Sequence, residues 1–138
     1  MFCKKWWVIC YHVVEVAGRS HVIVPYAFDT NDMRFMAGGT FVHAEDFARY
    51  CIDTFDTLWR EGEQYPAMMS VGLHPRLSGR PGRIAGMERF LEHVCAKGDI
   101  WFARRMDIAP HWRALVGLPE WTDSQEFTKH SGVKAELY

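Results

Sequence analysis

The chain has 138 residues, of which 49% are hydrophobic, 14% aromatic and 24% charged, a composition that suits one folded domain with a real core and excludes intrinsic disorder. Sixteen basic residues against seventeen acidic leave a formal charge of -1. That balance offers no basic excess for a polyanion, so no nucleic-acid partner is expected.

Four cysteines (Cys3, Cys10, Cys51, Cys95) are widely spaced, without the paired spacing of a zinc knuckle or the density of a disulfide scaffold. Reduced thiols in the cytoplasm fit that usage. No stretch approaches the roughly 20 apolar residues of a membrane-spanning helix, so no membrane association is expected. At the start, Lys4 and Lys5 precede an apolar run that imitates a short signal peptide. His12 and Glu15 interrupt it and no small-residue cleavage site follows cleanly, which favours an ordinary strand.

In chain order, Tyr11 to Val16 and His21 to Ala27 read as two β-rich runs joined by a turn at residues 17–20. Ala44 to Glu61 carries Phe47, Cys51, Phe55, Leu58 and Trp59 at helical spacing, with Glu45 and Asp46 suited to the first turn and Gly62 as a stop. Ala67 to His74 is short and apolar, a strand candidate, and an Arg- and Gly-rich loop follows it over residues 75–82. Pro81 opens a second helix whose expected buried stripe is Ile84, Met87, Leu91, Val94 and Cys95, ended by Gly98. Ile100 to Ala103 reads as a last strand. The final helix, Asp107 to Leu115, contains Pro110, which is tolerable if Asp107 is the N-cap and the proline falls in the first turn. Residues 117–138 turn polar and aperiodic and read as a tail.

Strands alternating with helices imply βαβ units and a parallel sheet, here about three βα units. A closed βα barrel takes about 250 residues, roughly twice this length, so the chain reads as part of a barrel whose missing cover comes from elsewhere. An uncovered apolar sheet face predicts self-association.

In such folds the loops at the C-terminal ends of strands converge on one face and carry the chemistry. His74 closes the strand candidate and shares a face with Ser70 and Gly72, opposite Met69, Val71 and Leu73. With an ordinary pKa near 6.5, a histidine there can protonate a leaving group at neutral pH. The plain alternative is a histidine bonding a loop carbonyl. Asp29 and Asp32, spaced D-x-x-D after the earlier strand, each suit the role of fixing the tautomer of His74, although Asp-Thr-Asn-Asp is also ordinary turn composition. Arg76, Arg80 and Arg83 suit an anionic substrate group, or surface ion pairs. His43, His93 and His111 lack a second histidine three or four residues away and do not predict a zinc site. Met68, Met69, Trp6, Trp7, Trp101 and Trp112 read as core or cover.

Three blocks in order, Val24 to Phe35 (VPYAFDTNDMRF), Met68 to Arg83 (MMSVGLHPRLSGRPGR) and Ile100 to Trp112 (IWFARRMDIAPHW), resemble the C-terminal half of the polysaccharide deacetylase family. The likeness is closest to its allantoinase-like and peptidoglycan deacetylase-like branch. It covers roughly Tyr11 to Trp112, which sets the barrel half at residues 11–116 and leaves 1–10 as an atypical N-terminal segment. The resemblance implies a distorted (β/α) barrel and hydrolysis of non-peptide amide C–N bonds, in a small molecule or an oligosaccharide, with a divalent metal such as zinc in the complete enzyme. Leu73-His74 matches the block whose histidine is the general acid, and Asp29 and Asp32 match the D-x-x-D block that supports it. Met33 stands where the family has tryptophan. The family's base, metal ligands and arginine-proline block belong to an N-terminal half that this sequence does not match. The chain is therefore expected to hold no cofactor itself, to be inactive in isolation, and to work as a homo-oligomer or with a complementary N-terminal half, or else to be a non-catalytic remnant.

Overall fold

The computed structural model describes residues 12–63 and 67–119. The expected atypical segment 1–10 and nearly all of the expected tail lie outside the described residues.

The two β-rich runs form an antiparallel hairpin, β1 (His12–Val16) and β2 (Arg19–Ile23), with Val14 opposite His21. Its turn is tighter than expected. Ala17 and Gly18 both have positive φ, 51° and 73°, the geometry of a two-residue turn whose twist matches the strands. That frees Arg19 and Ser20 to pair, and the Ser20 hydroxyl donates to Glu15 across the ladder.

The first long helix, α1 (Ala44–Glu61), has the expected bounds. Its start is fixed by Asp46, whose carboxylate accepts from the backbone N–H of Val42 and His43 at 2.9 and 2.8 Å. Those donors, at a helix start that favours negative charge, hold the Asp46 carboxyl below its usual range. Phe47, Ala48, Cys51 and Phe55 are its buried face. A short α2 (Pro75–Ser78) replaces the start of the expected Arg- and Gly-rich loop, because Pro75 is preset for the first turn of a helix.

Helix α3 (Pro81–Lys97) begins at Pro81 as expected, but its buried row is Gly86, Phe90 and Val94. Of the expected stripe, Ile84, Leu91 and Cys95 are exposed. The cause is steric: a Cβ at Gly86 would lie 2.3 Å from the carbonyl oxygen of Ala44. The absence of a side chain there lets α3 press its backbone onto α1, which turns the Gly86 row inward. Phe35, Phe41, Phe47, Cys51, Phe55, Met69, Phe90 and Val94 make one core cluster. Helix α4 spans Arg105–Leu115, two residues longer at its start than expected. Arg104 is its N-cap residue, and Asp107 sits in the first turn accepting from the Arg104 backbone N–H at 3.0 Å. Pro110 therefore falls in the second turn. The carbonyl it leaves without an amide partner belongs to Met106, a residue on the surface where water is available.

The expected parallel sheet of three βα units is reduced, among the described residues, to isolated bridges: Asn31 pairs in parallel with Gly72, and Met68 and Trp101 are also bridge residues. Residues 67–74 and 100–103 run extended without becoming named strands. On the Asn31 side the chain turns at once into a 3-10 turn, Asp32–Phe35, and on the other Pro75 starts α2. Mixed helix and strand stands as the architecture.

Candidate functional site

The bridge is the scaffold of the site. The Gly72 N–H donates to the Thr30 carbonyl at 2.9 Å, and the Asp32 N–H donates to the Gly72 carbonyl at 3.0 Å. The Thr30 hydroxyl adds a bond to the Ser70 carbonyl at 2.6 Å. Asn31 is fully buried; its amide nitrogen meets the Tyr26 hydroxyl at 2.5 Å and its carbonyl oxygen accepts from the Met33 N–H. Gly72 has no room for a side chain, since a Cβ would stand 2.2 Å from the Asn31 amide nitrogen and 2.6 Å from the Tyr26 hydroxyl oxygen. Backbone pairing and a missing side chain thus set the depth at which Asp32 enters.

Asp32 is completely buried and faces His74 twice. Its Oδ1 lies 2.6 Å from Nδ1 of the His74 ring, and its Oδ2 accepts from the His74 backbone N–H at 2.7 Å. The Ser78 hydroxyl donates to the same Oδ2 at 2.6 Å. Burial by itself pushes the Asp32 carboxyl up; the Ser78 hydroxyl, the His74 N–H and the His74 ring outweigh it and hold the group below its ordinary value. A carboxylate kept ionised beside Nδ1 fixes the proton on that nitrogen and leaves Nε2 as the atom that exchanges protons. The His74 side chain is 30% exposed, so the ring is open to a ligand while its partner is not.

The D-x-x-D pair is therefore divided. Asp29 is exposed and accepts from the Tyr50 hydroxyl at 3.4 Å, and its backbone carbonyl accepts from Arg34. Asp29 also adds to the burial that pushes the Cys51 thiol up to about 12, which makes that cysteine inert. The arginines divide too. Arg83 is folded onto the Phe35 ring at 4.6 Å and donates to the Leu77 and Phe35 carbonyls, as a brace. Arg76 and Arg80 are exposed, and Arg80 donates to the Arg76 carbonyl.

Ser78 escaped the sequence reading, and Gly72 was read only as a small residue on the His74 face, not as the point where Asn31 and Tyr26 close in. Ser78 had a readable signal: Pro75 starts a helical turn, and the fourth residue after His74 returns to the same face. Gly72 had none, because the groups it must clear are 41 residues away at Asn31. Three His, Cys, Asp or Glu side chains do not come together anywhere among the described residues in a way that would hold a metal ion.

No family model matches the chain. A Schizosaccharomyces pombe protein assigned by name to the polysaccharide deacetylases is 45% identical over 94 residues, 67% of this chain and 29% of that protein. The crystal structure of Puue allantoinase superposes with a TM-score of 0.73 at 42% identity, covering 81% of this chain and 38% of the other. A Pseudomonas aeruginosa structure assigned by name to polysaccharide deacetylase gives 0.70 at 45% identity over 76% and 35% of the two chains. A third, from Mycobacterium smegmatis, gives 0.63 at 27% identity over 82% and 40%. The chain spans between 29% and 40% of the length of these relatives. Over that part, the chain is similar to proteins named as polysaccharide deacetylases and to an allantoinase.

Proposed function

We propose that this chain carries the proton-donating portion of a hydrolase acting on non-peptide amide C–N bonds, polysaccharide N-deacetylase-like or allantoinase-like. The observation that supports it best is the His74 ring held at Nδ1 by a fully buried, ionised Asp32. In this reading water attacks the amide carbonyl and Nε2 of His74 delivers a proton to the departing nitrogen. Asp32 keeps the ring oriented and offsets its positive charge before the transfer. Arg76 and Arg80 meet the polar or anionic parts of the substrate. The base that activates water, and the divalent metal of the complete enzyme, come from a complementary N-terminal portion. Among the described residues Cys51 and Cys95 are free, which suits a reducing compartment such as the cytoplasm, and no helix there is long and apolar enough to cross a membrane.

The test joins residues from position 11 onward to an N-terminal half from a relative and assays an N-acetylated oligosaccharide and allantoin. His74→Ala should lower kcat by about 10²- to 10⁴-fold with little change in KM, as expected for a group acting mainly in the transition state. A substrate with a low-pKa leaving nitrogen should lose less. An equal loss on both kinds of substrate, or a loss confined to KM, assigns His74 to binding. No turnover from the joined chain at all would favour a non-catalytic partner.

A further inference from the structure

We infer that Ser78 is a positioning residue of this site, acting on His74 through the carboxylate of Asp32. The inference rests on the reading of His74 as proton donor, and its test needs no turnover.

Asp32 has two oxygens and three donors. Oδ1 is given wholly to the His74 ring, while Oδ2 receives the His74 backbone N–H and the Ser78 hydroxyl. The backbone donor is fixed by the chain and cannot be adjusted by evolution without moving His74 itself. Ser78 is the one side-chain hydroxyl among these donors, and it is buried with its acceptor, 6% exposed against 0%. A buried carboxylate without enough donors takes up a proton instead of staying charged. A protonated Asp32 would no longer accept at Oδ1 with a full charge, and the preference for a proton on Nδ1 of His74 would go with it. The bond that fixes the ring at Nδ1 would then lose its charge assistance, and with it the fixed orientation of Nε2.

Placement supports a role beyond local packing. Ser78 closes the single turn of α2, which begins at Pro75 directly after His74; the N–H groups of Leu77 and Ser78 both donate to the His74 carbonyl, at 2.8 and 3.1 Å. Helix α2, His74 and Asp32 are thus one closed circuit: the backbone of His74 positions Ser78, Ser78 holds Asp32, and Asp32 holds the ring of His74. Among the described residues, Asp32 is the ionisable group in contact with that ring.

The experiment is NMR on the full chain, following the carboxyl carbon of Asp32 and the Nδ1-bound proton of His74 as pH is lowered. In Ser78→Ala the Asp32 titration should move upward, and the His74 Nδ1-bound proton, no longer facing a full carboxylate charge, should lose its downfield shift at a correspondingly higher pH than in the wild type. Ser78→Thr, which keeps the hydroxyl, should return both toward the wild-type position. Ser78→Cys, close in volume but a weak donor, should fold even if the alanine variant does not, and should move both readings in the alanine direction. A variant that lowers stability yet leaves both readings at their wild-type pH overturns the inference and makes Ser78 a packing residue. That result would leave the proposed reaction untouched, since the reaction is read from kcat of the joined enzyme.

Discussion

The α1–α3 pair and the junction between residues 30–34 and 70–78 are both buried, but they are held by different forces. The helix pair is joined by apolar side chains, with Phe47, Cys51 and Phe55 of α1 and Phe90 and Val94 of α3 in one cluster. The junction is joined by polar groups: Thr30, Asn31 and Asp32 are at most 1% exposed, and each has its hydrogen bonds completed from the other segment or from its own loop. Apolar contact is non-directional and tolerates adjustment. A buried hydrogen-bonded network fails when one member is displaced. The molecule therefore gains its stability from the helices and spends its geometric accuracy at the junction, where His74 stands.

The largest effect should come from the apolar side. Phe90 is 3% exposed in the middle of α3, and truncating a buried phenylalanine costs about 3 to 5 kcal/mol. Phe90→Ala should therefore bring a chain of this size close to unfolding, measured by urea denaturation. Leu91 is the control. It was expected inside and is 37% exposed, one wall of an apolar hollow of about 370 Å³ with Leu73, Met87 and Phe102. Leu91→Ala should cost well under half as much. Equal losses at the two positions would mean that the hollow is filled by another part of the chain or by a second copy.

Gly72→Ala tests the polar side. The added methyl meets the Asn31 amide and the Tyr26 hydroxyl, and overpacking of this kind typically costs about 1 to 3 kcal/mol. The diagnostic reading is local. Amide exchange should speed up at Gly72 and Asp32, whose N–H groups carry the bridge, before it does so in α1. Uniform acceleration through both regions would show that the junction and the helix pair unfold as one unit and would remove the contrast between them.

Much of this contrast was legible in the residues. The bounds of α1 follow from its own periodicity, from acids at its first turn and from Gly62, all signals within one element. His74 at the end of an extended run could be read from alternation, while an aspartate of the D-x-x-D pair beside it was what the family resemblance implied, since spacing alone left that segment equally readable as a turn. Three things could not. Which aspartate reaches His74 depends on the register of Asn31 with Gly72, and register is a relation between distant segments. The inward row of α3 depends on how closely Gly86 lets it approach Ala44 of α1, so a stripe chosen by hydrophobicity alone was rotated. The parallel sheet follows from alternating strands and helices, but pairing requires neighbouring strands to stay extended, and here the chain after Asn31 turns at once into the 3-10 turn.

The smallest effect should come from the charges that also bridge α1 and α3. Arg89 Nε lies 3.1 Å from Glu45 Oε2, with the two side chains 45% and 56% exposed. At such exposure water already solvates both ions, and fixing two long side chains costs entropy, so pairs of this kind contribute about 0 to 1 kcal/mol. Arg89→Ala should lower the urea midpoint only slightly, and 1 M salt, where the screening length falls to about 3 Å, should abolish most of the difference from the wild type. The geometry of the interface argues the same way: the approach of α3 to α1 is set at Gly86, one turn before Arg89, by backbone contact that does not depend on charge. A loss comparable to Phe90→Ala, persisting in high salt, would mean that the helix pair is held at its edge by ions. The division between an apolar support and a polar site would then have to be redrawn through α1 itself.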